Sequence, residues 1–304
     1  MRGRLGIRVS PCSSPFALGL RRDRSVAKNR SAFTRTELLV VLTVVVLISV
    51  GAVFPWMENS RRKAQETECQ MNMRRIGEGF HQYAADHDDK IPYALISYDK
   101  KRRFTWDYVL RYYLTEGALG TNTPITLDSR TRERALAAGF ACPADTIKRT
   151  GANRKRSYAM PAHNMNRKNW PPGSDNATGL GLTLNFGPDG TRIPPKWKYN
   201  YDNTNDLASF RLSSIPSPKD TLLLAELANT NNIVYGNKST IRNTAEHLNT
   251  NLLSAEKYHQ GKFNYLMVDG HVESLMPGQT VGPLGEAGTN ATKHFGIWTV
   301  KGRD

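Results

Sequence analysis

Cysteine is scarce, with three residues in 304. No Cys-x-x-Cys pair, His-Glu-x-x-His, Gly-x-Ser-x-Gly or P-loop occurs, so no local pattern specifies a metal cage, a nucleophile or a phosphate cradle. Acidic residues are also few, 27 against 42 Lys and Arg, for a net charge of +15. A surplus of that size points towards nucleic acid until it is divided along the chain. Residues 1–32 carry eight Lys and Arg against the single acid Asp23, a net of +7, which leaves +8 for the rest. The remaining basic clusters, at 100–103, 130–134 and 148–156, read as solvated faces, and nucleic acid is not expected as a partner.

What the chain does have is one long apolar run. Residues 38–54 read LLVVLTVVVLISVGAVF, with no charge. As a helix the run would rise about 26 Å, close to the thickness of a bilayer core, and is expected to span a membrane with help from its flanks. The basic residues before it favour a cytoplasmic N-terminus. A secretory signal would close on a small-residue cleavage site, whereas Pro55-Trp56-Met57 follows here. Glu37 stands alone at the edge of the run. A carboxylate there either rests in the headgroup layer or is met by a cation.

The segment AFTRTELLVVLTVVVLIS, residues 32–49, resembles the cleavage and methylation segment of type IV prepilins and type II secretion pseudopilins. The resemblance implies that a prepilin peptidase cuts between Ala32 and Phe33 and that the new amine of Phe33 is methylated. It also implies that Glu37 neutralises the amine of a neighbouring subunit during assembly. Ala32 stands where these families usually carry glycine, and Arg35-Thr36 replaces a pair that is normally apolar.

If Cys12 leaves with the basic leader, Cys69 and Cys142 remain, either as one bridge or as two buried thiols. Beyond the apolar run, Cys69, Met73, Ile76, Phe80 and Tyr83 recur in alternating steps of four and three, one stripe of a continuing helix that should face a sheet. Pro55 is expected to kink or open the helix between its two halves. The acidic stretch Asp86-His87-Asp88-Asp89 ends the helix before Ile91-Pro92. It reads as a solvated turn, because calcium needs oxygen ligands from more than one short acidic segment.

Residues 93–160 give no clear strand pattern, with helix expected at 106–114 and 130–138. Residues 161–207, rich in Asn, Gly and Pro, read as a long exposed loop region. Aromatics in or near polar loops, Trp170, Tyr199, Tyr201 and Trp298, are candidates for gripping a sugar or protein, although most such residues are ordinary packing. Residues 221–226 form a candidate buried strand. Residues 263–268 lead into Asp269-Gly270, a strong hairpin signal, with 271–275 returning antiparallel.

His259 is followed by nine residues and then Asp269-Gly270. This is similar to the H-x9-DG prepilin-processing-associated group, known from a domain of unknown function in planctomycete-type bacteria. CQMNMRRIG from Cys69, YAAD from Tyr83, FACPAD from Phe140 and SYAM from Ser157 agree with it. A zinc or acid/base site built from His259, Asp269 and His271, with Glu226 or His247 as a further member, is the sharper alternative. The pattern favours a histidine that holds the hairpin through backbone or Asp269, with no catalytic residue, metal or cofactor.

The expected fold is α+β and pilin-like: a long N-terminal helix, membrane-spanning in its first half, packed on an antiparallel sheet with loop-rich insertions. The expected organisation is a basic leader (1–32), a transmembrane helix (33–57), its amphipathic continuation (58–90) and a periplasmic or extracellular body (91–304). The expected function is that of a prepilin-like subunit of a type IV pilus or type II secretion pseudopilus, not an enzyme. Its partners would be prepilin peptidase, other pilin or pseudopilin subunits, the inner membrane and a secreted cargo or surface ligand. The expected location is the inner membrane as a single-pass protein, or a cell-surface filament after assembly. A single-pass anchored extracytoplasmic binding protein that forms no filament is the alternative.

Overall fold

A computed structural model describes residues 34–98, 102–118, 138–149, 154–163, 179–186, 192–193, 209–227, 229–236, 240–241, 247, 259–283 and 295–300. The chain divides into two compact units, Met1–Phe54 and Pro55–Asp304. Helix α1, Arg35–Asp86, has 52 residues and carries Pro55 in its interior. Thr34 and Glu37 open it with a reciprocal capping box. The Thr34 amide donates to Glu37 Oε2 at 2.8 Å and the Glu37 amide to Thr34 Oγ1 at 3.2 Å, which satisfies two of the helix's orphan donors.

In the second unit, Cys69, Met73, Ile76 and Phe80 of α1 are all buried. Asp88 and Asp89 end the helix with φ of 53° and 66°, left-handed values that an aspartate tolerates. Asp89 Oδ2 accepts the Ser213 amide at 2.9 Å, so this acidic stretch is a hydrogen-bonded turn.

Two mixed sheets follow. The first has the order β2-β1-β4-β5, from β1 (Leu95–Tyr98), β2 (Arg102–Thr105), β4 (Thr183–Phe186) and β5 (Arg192–Ile193). Its β1 and β4 run parallel, Leu95 opposite Thr183. The second has the order β7-β3-β6-β8-β9, from β3 (Tyr158–Pro161), β6 (Leu222–Glu226), β7 (Thr240–Ile241), β8 (Phe263–Met267) and β9 (Val272–Leu275). Here β3 and β7 are parallel and the other pairs antiparallel. Strands β3, β6 and β8 are buried at every position, as central strands covered on both faces must be.

Helix α2, Trp106–Ala118, brings Trp106 and Leu110 into the core, where Trp106 stacks on Phe80 and meets Phe140 edge-on. Gly77 lets α1 approach the hairpin. A Cβ at that position would lie 3.1 Å from Leu266 Cδ1 and 3.7 Å from the Cα of Gly270.

Three expectations are corrected here. The fold is not a membrane-spanning helix on one antiparallel sheet, because both sheets are mixed and each is joined by a parallel pair between strands far apart in sequence. Among the described residues no helix is long and apolar enough to cross a membrane, against the transmembrane segment and the single-pass inner-membrane location. Beyond Pro55, Glu58 and Arg61 to Lys63 make the helix polar. The region 161–207 is not one loop either, since it contributes the end of β3 and both β4 and β5. The helix expected at 130–138 lies outside the described residues except for its last position.

Candidate functional site

Four separated parts of the second unit converge in its core. Cys69 comes from α1, Cys142 from the turn after Phe140, Glu226 from the last position of β6, and His259 from the short 3-10 turn that precedes β8. All four are buried, and their ligand atoms lie within 4.8 Å of one another. Cys69 and Cys142 are joined as a disulfide, with a Cα–Cα distance of 4.9 Å.

His259 Nε2 lies 3.1 Å from Glu226 Oε1 and 3.3 Å from Cys142 Sγ. Burial pulls the imidazole down, but the hydrogen bond and charge of Glu226, with Glu66 adding, hold its pKa above the ordinary value. Glu226 is itself held in place. The Asn264 amide donates to its Oε2 at 2.8 Å and Asn264 Nδ2 to its Oε1 at 3.1 Å, while Gln70 Nε2 of α1 donates to Asn264 Oδ1 at 3.3 Å.

The backbone that aims His259 is unusual. His259, Gln260 and Gly261 have φ of 38°, 61° and 91°, three left-handed residues in succession, two of which are not glycine. Non-glycine residues in that region carry strain of about 1 kcal/mol or more, which the surrounding packing must offset.

The other members of the sequence-derived constellation go elsewhere. Asp269 Oδ1 accepts from the His271 amide at 3.1 Å and pairs with His271 Nδ1 at 2.5 Å, so it serves its own turn and does not hold His259. Gly270 occupies that turn with φ 92°. His271 also reaches Glu273 Oε1 at 3.2 Å, and the two carboxylates raise its pKa against the opposing effect of burial. His247 donates from Nε2 to the backbone oxygen of Glu226 at 2.8 Å, amid Phe263, Tyr265 and Trp298, and burial lowers its pKa to about 4.

Glu37 lies in the capping box of α1, and its hydrogen bonds from the Thr34 backbone and hydroxyl hold its pKa below the ordinary value. Trp298 is buried, with Nε1 donating to Thr280 Oγ1 at 2.9 Å, so it packs rather than grips a ligand. Ala32, Phe33, Cys12, Trp170, Tyr199 and Tyr201 lie outside the described residues.

A buried ionic network beside this cluster gives a role to residues whose chemistry no motif announced. Asp145 accepts the Ile147 amide at 3.0 Å, Arg149 Nη2 at 2.5 Å and Ser157 Oγ at 2.6 Å. Arg156 pairs with Asp107 at 2.5 Å and donates to Asn232 Oδ1 at 2.7 Å, with its guanidinium 5.6 Å from the Trp106 ring centre. The FACPAD and SYAM pieces thus meet as Asp145 and Ser157. No sequence signal marked them: Arg149 and Arg156 belong to the basic run 148–156, which reads as a solvated face, yet both side chains are buried.

Comparison with protein-family models, with curated proteins and with solved structures finds no significant match for this chain. The likeness to prepilins therefore rests on the quoted motifs alone.

Proposed function

We propose that the chain is a prepilin-like structural subunit, cut before Phe33 by a prepilin peptidase and assembled with other pilin or pseudopilin subunits through the first segment of α1. The observation that carries this reading is the exposure of that segment. Leu38 to Val41, Leu42, Val44 to Val46, Leu47 and Ile48 are between 48% and 69% exposed in the single chain. The two hydroxyls in the stretch make no outward demand, since Thr43 donates to the Leu39 carbonyl and Ser49 to the Val45 carbonyl at 2.7 Å. A helix apolar all round is stable when covered, and the matching cover is a bundle of the same segments from other subunits. The second unit is then the face presented to a cargo or surface ligand, and the protein works by assembly rather than turnover.

The test uses the full chain and a Val45→Glu variant, compared by analytical ultracentrifugation and by mass spectrometry of the N-terminus. The reading expects a chain that begins at methylated Phe33 and assembles, and a variant that stays small. Equal sizes for the two would overturn it. Glu37 separates its two roles through Glu37→Gln, because glutamine keeps a capping box but removes the charge. Pairing with a neighbouring amine requires that this variant retain its helix yet assemble poorly.

A further inference from the structure

We propose that Cys69, Cys142, Glu226 and His259 form a Zn²⁺ site in the dithiol form of the protein, so that the same cysteine pair closes the core either by a disulfide or by a metal ion. This goes beyond the assembly reading and does not depend on it. The donor set is two thiolates, one imidazole and one carboxylate, which suits a tetrahedral borderline-soft ion. With Zn–S near 2.3 Å and Zn–N or Zn–O near 2.0–2.2 Å, the edges of such a tetrahedron are about 3.3–3.8 Å. The four ligand atoms already lie within 4.8 Å of one another and are buried. Opening the S–S bond lets the two sulfurs separate towards that edge length.

Three observations go beyond proximity. The ligands come from four separate elements, each held by the core. Glu226 has its second oxygen fixed by the Asn264 amide at 2.8 Å, and Asn264 is fixed in turn by Gln70, the kind of outer support that orients a metal ligand. His259 is aimed inward by consecutive residues at left-handed φ, a strained arrangement that a hairpin alone does not require.

The conversion balances. A dithiol reductant supplies two electrons and two protons to the disulfide and is itself oxidised to a disulfide. Zn²⁺ then displaces both thiol protons, and the imidazole proton leaves Nε2 for Nδ1 so that Nε2 can bind the metal.

The experiment measures zinc by mass spectrometry in the full chain, oxidised and dithiol-reduced, after exposure to Zn²⁺ and gel filtration. Co²⁺ serves as a spectroscopic probe of thiolate ligation. One zinc per reduced chain, none in the oxidised chain, and thiolate-to-Co²⁺ absorption are expected. His259→Ala and Glu226→Gln should each weaken Zn²⁺ by at least about tenfold, since each removes a ligand and even the loss of an outer-shell partner costs about that much, while the oxidised variants keep the far-ultraviolet dichroism of the parent. If the reduced chain unfolds, added Zn²⁺ must restore its structure. Failure to restore it, a folded reduced chain without zinc, or undiminished zinc in both variants would overturn the site.

Discussion

Asp107 and Arg156 are both fully buried, and the pair carries more than its own attraction. Asp107 Oδ2 also accepts the Tyr235 amide at 2.7 Å, and Arg156 joins Asn232, whose Nδ2 donates to the Leu227 carbonyl at 2.7 Å. Truncating one partner leaves the other as an uncompensated buried charge. Asp107→Ala should therefore lower the unfolding free energy by about 3–5 kcal/mol in urea titrations. His247 sets a pH dependence of the opposite origin, since it is buried and its ring bonds to a backbone oxygen, with no carboxylate on it among the described residues. The unfolded chain takes up a proton near pH 6.5 that the folded chain refuses until about pH 4. Stability attributable to this residue is complete above that window and is lost as the pH falls through it, by on the order of 3 kcal/mol. Urea titrations from pH 7 to pH 4 should show the loss, and His247→Gln should flatten it. Neither residue announced itself in the sequence. Asp107 reads as an ordinary first-turn helix acid, and nothing local says that Arg156, from a basic run, lies opposite it.

The elements differ in how plainly they were written. The hairpin of β8 and β9 was legible because its information is local. Alternation leads into Asp-Gly, and Leu266 opposes Val272 across the turn. The stripe of Cys69, Met73, Ile76 and Phe80 was legible for the same reason, being one face of one helix. Strands β1 and β4 were not, because four-residue strands paired in parallel across more than eighty residues leave no periodicity to count. Gly270 tests how much the turn depends on its backbone. With φ at 92°, Gly270→Ala should cost about 1 kcal/mol in thermal or urea unfolding. Gly278→Ala, where an added Cβ meets nothing within 4 Å, should cost less.

At the scale of the whole molecule, the Cys69–Cys142 bond ties α1 to the segment after Phe140 across 73 residues. A closed loop of that length restricts the unfolded chain by about 4 kcal/mol in the chain-entropy account. Cys142→Ser, compared with the oxidised parent in a metal chelator, should lose about 2–5 kcal/mol by urea titration.

The sequence by itself determined the apolar segment, the helix stripe, the Asp-Gly turn and the supply of two cysteines after residue 32, because each is a property of neighbours along the chain. Only the tertiary structure decided the pairing of the two sheets and the partners of the ionisable groups. His259 meets Glu226 and Cys142 while Asp269 meets His271, and Asp145 gathers Arg149 and Ser157. These contacts depend on which strands lie side by side and on which charges burial forces to find a counterpart, and neither condition exists until the core has closed.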